Sequence, residues 1–238
     1  MSMTSGDALA IVAKYPTPGQ VKTRLGAAIG FVASAALYRA FLADLAERFT
    51  AAQAADGYDL WWACTPRAAQ LAPLLGPGAR CLDQRGAGLA ERLHNVCRSL
   101  RARGYRRVVL LGSDSPQLPA RVVAQAFAAL CQRDVVLGPA EDGGYYLIGL
   151  HLAARADLFR GIQMSTPYVL RETMARAHAL GLTVALLEPA FDVDEVGDLA
   201  RLEAALTEDD CVARRTAAAL RDYSERQESA HGDLTSVG

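Results

Sequence analysis

Lysine is almost missing from this chain. Of its 25 basic residues only Lys14 and Lys22 are lysines, and both fall in one short stretch, Ala13-Lys-Tyr-Pro-Thr-Pro-Gly-Gln-Val-Lys-Thr-Arg-Leu25. Lysine is a compact point charge on a flexible stem, suited to following a phosphate as charge shifts, whereas arginine offers a rigid fork. A loop that keeps ammonium groups while every other cation is arginine is a candidate phosphate site; the competing reading is two survivors of drift towards arginine. Paired cysteines are absent too. Cys64, Cys81, Cys97, Cys131 and Cys211 are odd in number and scattered, with no C-x-x-C pair, which argues against a disulfide framework or a structural zinc site and fits buried small hydrophobes. The four histidines, His94, His151, His178 and His231, have no ligand spacing. No excess of either charge is present: the formal net charge is −1 and the pI about 6.4. No sequence-wide field favours nucleic acid or an anionic membrane, so a small molecule is the expected partner, with a homodimer allowed. The apolar run from Ala8 to Ala13 is too short for a signal peptide or a membrane span and follows no basic segment, so the expected location is cytoplasmic.

What is present is enough apolar material for one substantial core, 51% of 238 residues. Short β-like runs alternate with helical ones, the pattern of an α/β sheet with helices on both faces. Strands are expected at Ala8–Ala13, Tyr58–Cys64, Arg80–Asp83, Val108–Leu111, Val135–Leu137, within Asp142–Leu150, and at Leu182–Leu187. Helices are expected through Phe31 to Phe49, from Pro66 to near Gly76, Leu89 to Leu100, Pro119 to Cys131, Pro167 to Leu180 and Glu195 to Leu206. Val108–Leu111 is a continuous apolar run of the kind buried on both faces of a parallel sheet. Residues 1–206 read as one domain and 207–238 as a polar C-terminal extension, whose end from Ser224 reads as a mobile tail.

The familiar nucleotide motifs do not fit. Val21 rather than glycine precedes Lys22, which excludes a Walker A loop, and Gly86-Ala-Gly88 lacks the third glycine of a dinucleotide fingerprint. Gly112-Ser-Asp-Ser-Pro116 lacks the glycine of a nucleophile elbow after Ser115. Asp114 lies just past the end of the most buried strand, where open α/β sheets place ligands, and a hard oxygen donor there could hold Mg²⁺ or Mn²⁺; alternatively it or Ser115 caps the next helix. Asp192 and Asp194, two apart, share a side if extended and could contact the same cation, although Asp194 could instead cap the last helix. Gly143 and Gly144, after Asp142, allow close backbone approach to a substrate or form a plain hairpin turn. Ser165 and Thr166 could offer hydroxyls to a ligand or mark a helix start.

Together, K-x-P-x-P-G-x-V-K-T-R-L (Lys14–Leu25), G-S-D-S-P-x-L (Gly112–Leu118), D-G-G-Y-Y-L-I-G-L (Asp142–Leu150) and D-V-D-x-x-x-D-L (Asp192–Leu199) resemble a bacterial family of transferases in the nucleotide-diphospho-sugar transferase superfamily. The family includes glycosyltransferases linked to arsenosugar biosynthesis and is distantly similar to molybdenum-cofactor and phospholactate nucleotidyltransferases. The resemblance implies a single GT-A (Rossmann-like) domain with a mixed, mostly parallel seven-stranded sheet. It implies a nucleoside triphosphate or nucleotide sugar held by Ala13, Lys14, Pro18, Gly19, Lys22, Thr23, Arg24, Gly112 and Ser113, with Lys22, Arg24 and Asp114 catalytic. It also implies Mg²⁺ or Mn²⁺ on Asp114 with Asp192 or Asp194, and a small-molecule acceptor near Asp142, Gly143, Gly144, Tyr145, Ser165 and Thr166. Two departures stand out: Gln84–Leu93 lacks an acidic residue and a glycine of the family's Q-x-G-x-D-L-G-x-R-L stretch, and Met164 replaces an expected tryptophan. The expected reaction is nucleotidyl transfer with release of pyrophosphate. The alternatives are glycosyl transfer from a nucleotide sugar and, in another class, a non-catalytic nucleotide-binding module.

Overall fold

β1 (Asp7–Lys14) sets a two-sided architecture by its alternation: Leu9, Ile11 and Ala13 enter one apolar layer, Ala8 and Ala10 the other. The computed structural model describes residues 6–152, 156–207 and 213–235, without the side chains of 156–157 and 227–235; Cys211 and the side chain of His231 therefore lie outside the described parts. After β1 come α1 (Thr23–Ile29), α2 (Phe31–Asp56), β2 (Asp59–Thr65), α3 (Ala68–Leu71), a 3₁₀ turn (Ala72–Leu74), β3 (Arg80–Asp83), α4 (Leu89–Arg101) and β4 (Arg107–Gly112). Then follow α5 (Arg121–Ala129), β5 (Val135–Pro139), β6 (Tyr145–His151), a 3₁₀ turn (Ala156–Phe159), α6 (Val169–Ala179), β7 (Val184–Leu186), α7 (Gly197–Ala205) and α8 (Arg214–Thr235).

The strands form one seven-stranded sheet in the order β3-β2-β1-β4-β6-β5-β7. It is parallel except for β6, which runs antiparallel to both β4 and β5. Val108, Val109, Leu110 and Leu111 of β4 are all buried, as a strand covered on both faces requires. Phe41, Leu45 and Phe49 of α2 pack with Val123 and Phe127 of α5 on one face, and Leu93, Val96 and Leu100 of α4 with Ala177 of α6 on the other. This is the mixed α/β sheet with helices on both faces that the sequence implies.

Two elements depart from the sequence expectation. The sequence reads as a loop through to Leu25, yet Thr23–Ile29 is helical; a seven-residue helix of mostly small residues carries too little apolar period to declare itself. Its Gly26 lets it lie against α2, since a Cβ there would come within 2.5 Å of Phe31 Cδ1. The C-terminal extension, where the sequence shows no regular apolar face after Ser224, carries the helix α8 (Arg214–Thr235). The reason lies elsewhere in the chain. Asp44 of α2, 2% exposed, accepts the backbone N–H groups of Arg215 (3.1 Å) and Thr216 (2.7 Å), satisfying orphan donors at the start of α8, and Leu220 is buried below them. No helix among the described residues is long and apolar enough to cross a membrane.

Candidate active site at the ends of β1 and β4

Chain order runs outward from β1 through β2 to β3 and then returns to β4 on the other side of β1. The strand order therefore reverses between β1 and β4, and ligands of open α/β sheets bind beyond the carboxyl ends of strands at such a point. A cavity of about 490 Å³ opens there, lined by the ends of β1 and β4, the turn at residues 20–22, the start of α1, the start of α4, β6, Ser165, Asp192 and Asp194.

A relay of hydrogen bonds fixes its floor. The backbone N–H of Lys14 donates to Tyr38 Oη (3.2 Å), Tyr38 donates to Ser113 Oγ (2.7 Å), and Ser113 donates to the Val12 carbonyl (2.9 Å). Burial first, and then the negative charge of Asp114, push the Tyr38 phenol up to about 12, so it stays a neutral donor. Gln84 clamps the neighbouring strands, its Nε2 donating to the Ala13 (3.1 Å) and Ala63 (2.7 Å) carbonyls.

Lys22 lies at the centre. Its backbone is left-handed (φ 47°, ψ 47°) immediately before α1, and this turns the side chain inward: it is 2% exposed. The ammonium lies 3.0 Å from Asp194 Oδ1, pairs with Asp114 Oδ1, and is 5.9 Å and 5.8 Å from the ring centroids of Tyr38 and Phe41. Burial opposes its charge, but the two carboxylates outweigh burial and hold the ammonium above its ordinary value. The two acidic loops are stitched together by the Val193 N–H, which donates to the Asp114 carbonyl (3.0 Å), and by Gln117 Nε2, which donates to the Phe191 carbonyl (2.7 Å). Arg48 of α2 donates to the carbonyls of Pro116 (2.7 Å) and Leu118 (2.6 Å), steadying the loop after Asp114. Asp192 accepts from Ser115 Oγ, and its carboxyl is pushed up to about 6, chiefly by burial and further by Asp114 and Asp194 against the pull of Ser115 and Lys22.

A family model described as uncharacterized proteins conserved in bacteria, DUF2064, matches residues 43–166. The chain belongs to the DUF2064 family. A solved structure from Desulfovibrio desulfuricans G20, provisionally named a nucleotide-diphospho-sugar transferase, is 35% identical to this DUF2064 chain, with a TM-score of 0.85 over 94% of it and 98% of the other. Two further structures share the fold at low identity. A CMP:2-keto-3-deoxy-manno-octonic acid synthetase complexed with CTP is 14% identical, with a TM-score of 0.55 over 84% of this chain and 98% of that one. A 4-diphosphocytidyl-2C-methyl-D-erythritol synthase from Anaerococcus prevotii DSM 20548 is 8% identical, with a TM-score of 0.55 over 85% and 100%. No curated protein matches the chain in sequence.

In this DUF2064 chain the cavity gathers Ala13, Lys14, Lys22, Thr23, Arg24, Gly112, Ser113, Asp114, Tyr145, Ser165, Asp192 and Asp194 of the residues singled out in the sequence. Pro18, Gly19, Asp142, Gly143, Gly144 and Thr166 are not among its lining. The glycine pair serves the β5–β6 hairpin: Asp142 Oδ1 accepts the Gly144 N–H (2.8 Å), Gly143 has φ +89°, and a Cβ on it would fall 2.1 Å from the Pro167 carbonyl oxygen. Thr166 Oγ1 donates to the Gln163 carbonyl (3.2 Å) and so marks the turn before α6. Tyr145 lines the cavity, and its hydroxyl is buried beside Thr173. The capping alternatives for the aspartates fail, since α5 begins at Arg121 with Ala120 as its N-cap residue and no side-chain cap. Before α7, it is Asp198 that accepts the N–H groups of Asp194 (2.9 Å) and Glu195 (2.8 Å). With Val193 buried, Asp192 and Asp194 both line the cavity, as extended spacing requires. Tyr38, Gln84 and Arg92 also line it and were missed. Tyr38 sits in a helical apolar pattern that reads as core; Gln84 and Arg92 lie in the stretch that departs from the family pattern.

Proposed function

We propose that the protein is a metal-dependent nucleotidyltransferase that joins the NMP part of a nucleoside triphosphate to a phosphorylated small-molecule acceptor and releases pyrophosphate. Family membership supports the coarser statement, a transferase of nucleotide-diphospho-sugar transferase fold. The observation that carries the finer one is the meeting of a cationic turn and two half-exposed carboxylates, Asp114 and Asp194, in one cavity at the strand-order reversal.

In this reading Lys14 and Arg24 receive the phosphates. Lys14 is exposed and its ammonium forms no ion pair among the described residues; Arg24, 75% exposed on its side chain, makes only a long pair with Glu195 (3.6 Å), which solvent screens. The donor set fits Mg²⁺ or Mn²⁺ bound partly through phosphates: hard oxygens from Asp114 and Asp194 face the cavity, and this ion needs one or two carboxylates when phosphates complete its shell. No cluster of three His, Cys, Asp or Glu able to hold a metal is found among the described residues, so phosphates would have to supply the rest. Asp192, drawn to Ser115 and raised towards protonation, is the weaker ligand candidate. Bound there, the cation would neutralise charge developing on the leaving pyrophosphate. The Tyr38–Ser113 relay orients the backbone beneath the phosphates, and the acceptor enters past Tyr145 and Ser165, so that its phosphate attacks the α-phosphorus in line.

The provisional name of the 35% identical structure favours a second reading, transfer of a sugar from a nucleotide sugar. Incubation with α-³²P-labelled nucleoside triphosphates, Mg²⁺ and deproteinised cell extract as acceptor source separates the two. Nucleotidyl transfer places label in a phosphatase-resistant product with stoichiometric pyrophosphate. Label that stays on free nucleotides, while a nucleotide sugar is consumed, sinks this reading in favour of the second.

A further inference from the structure

Lys22 is the residue the sequence marks for phosphate, yet in the structure it is the most deeply buried of the cations that line the cavity. Its side chain is 2% exposed, while the two carboxylates it holds, Asp114 and Asp194, are 46% and 47% exposed. The ammonium is pressed between these carboxylates on one side and the rings of Tyr38 and Phe41 on the other. Lys14 and Arg24 are exposed and cannot stand in for it there.

We propose that Lys22 is a resident counter-cation: in the free protein its ammonium occupies the place between Asp114 and Asp194, and a divalent cation enters that place only together with a polyphosphate. The inference rests on the reading of the cavity as a polyphosphate and metal site. Two neighbouring carboxylates without Lys22 would be an open, doubly negative pair that attracts Mg²⁺ from solution. With Lys22 the pair is half neutralised and one oxygen of each carboxylate, Oδ1, is committed to the ammonium, so a lone divalent ion meets a buried positive charge and too few ligands. A polyphosphate brings several negative charges. It gives the ammonium new oxygens to turn towards and the metal the ligands that the protein lacks, so both cations fit where one did before. By linkage, whatever the polyphosphate does for metal affinity the metal does for the polyphosphate. The arrangement keeps the two acidic loops pinned to the first loop until substrate arrives and denies the site to free metal.

The test uses the near-absence of lysine. Protein labelled with ε-¹⁵N lysine carries only two side-chain ammonium groups, Lys14 and Lys22. The signal assigned to Lys22 by comparison with Lys22→Met should be protected from solvent exchange in the free protein, unmoved by Mg²⁺ alone, and shifted by Mg²⁺ with inorganic triphosphate. In parallel, Mn²⁺ binding followed by electron paramagnetic resonance should be weak in the wild type and at least about tenfold tighter in Lys22→Met without triphosphate. Equal Mn²⁺ affinity of the two proteins, or a Lys22 signal that moves with Mg²⁺ alone, overturns the proposal. If Lys22→Met does not fold, the signal in the wild type is assigned through Lys14→Arg and still decides. Thermal denaturation with triphosphate keeps the two failures apart: no stabilisation of either protein sinks the polyphosphate reading, whereas the Mn²⁺ comparison without triphosphate judges Lys22 alone.

Discussion

An ammonium that holds two carboxylates and lies against two rings is poorly replaced by a guanidinium, whose planar fork demands more width and a different set of acceptor directions. Lys22→Arg should therefore lower turnover at least tenfold, roughly, and cost about 1–3 kcal/mol of stability, measured by steady-state kinetics and urea denaturation; a variant equal to wild type in both would return the lysine to compositional accident. Asp114→Asn leaves the buried Lys22 ammonium with Asp194 alone, so it should fold with a loss of about 1–3 kcal/mol in urea denaturation and lose turnover; retained turnover would remove Asp114 from the chemistry. Asp192 gives a pH signature. Its carboxyl is held near 6, above its ordinary 3.8, so the folded chain binds more protons than the unfolded chain between these values. In that window Asp192 lowers stability as pH rises, and below it the cost is absent. Asp192→Asn removes this pH dependence. Its stability relative to wild type should grow from pH 4 to about 6.5 by on the order of 2 kcal/mol, and a difference that stays flat across that range would show that the carboxyl is not raised.

At the scale of elements, two small features govern placement of larger ones. Asp44 caps α8 from a helix 171 residues away in sequence, bonding Arg215 N while 2% exposed. Asp44→Ala leaves those donors unpaired and should cost about 1–3 kcal/mol, with most of the lost helical signal coming from α8; full retention of α8 by hydrogen exchange would contradict the cap. Gly143 lets the β5–β6 hairpin meet the segment before α6, and Gly143→Ala, with no room at 2.1 Å and φ +89°, should destabilise by about 2 kcal/mol or more. These two cases also mark where sequence reading reaches and where it stops. Strands such as Val108–Leu111 and helices such as Leu89–Arg101 declare themselves by apolar run or period, because burial is written locally. The cap on α8 does not, since its donors and its acceptor meet only through tertiary packing. The glycine pair was visible, but its neighbour Pro167 was not, and only that contact separates a hairpin from a substrate cradle.

At the scale of the whole molecule, one sheet carries the first loop, the aspartate after β4 and the aspartates before α7 to a single point, although they are far apart in the chain. Their convergence was legible because each motif sits at the end of a strand or in a break between elements, where chemistry-bearing residues are otherwise unexplained. The pairing of Lys22 with Asp114 and Asp194 was not, for it depends on a left-handed backbone at a lysine, which no propensity announces. Whether a nucleoside triphosphate is held with a divalent cation in this cavity is decided by thermal denaturation against the four common nucleoside triphosphates and a panel of nucleotide sugars, each with and without Mg²⁺. One triphosphate should stabilise the protein by about 2.7 kcal/mol at a hundredfold above its Kd, and only when Mg²⁺ is present. Stabilisation by a nucleotide sugar and by no triphosphate would contradict the proposed function.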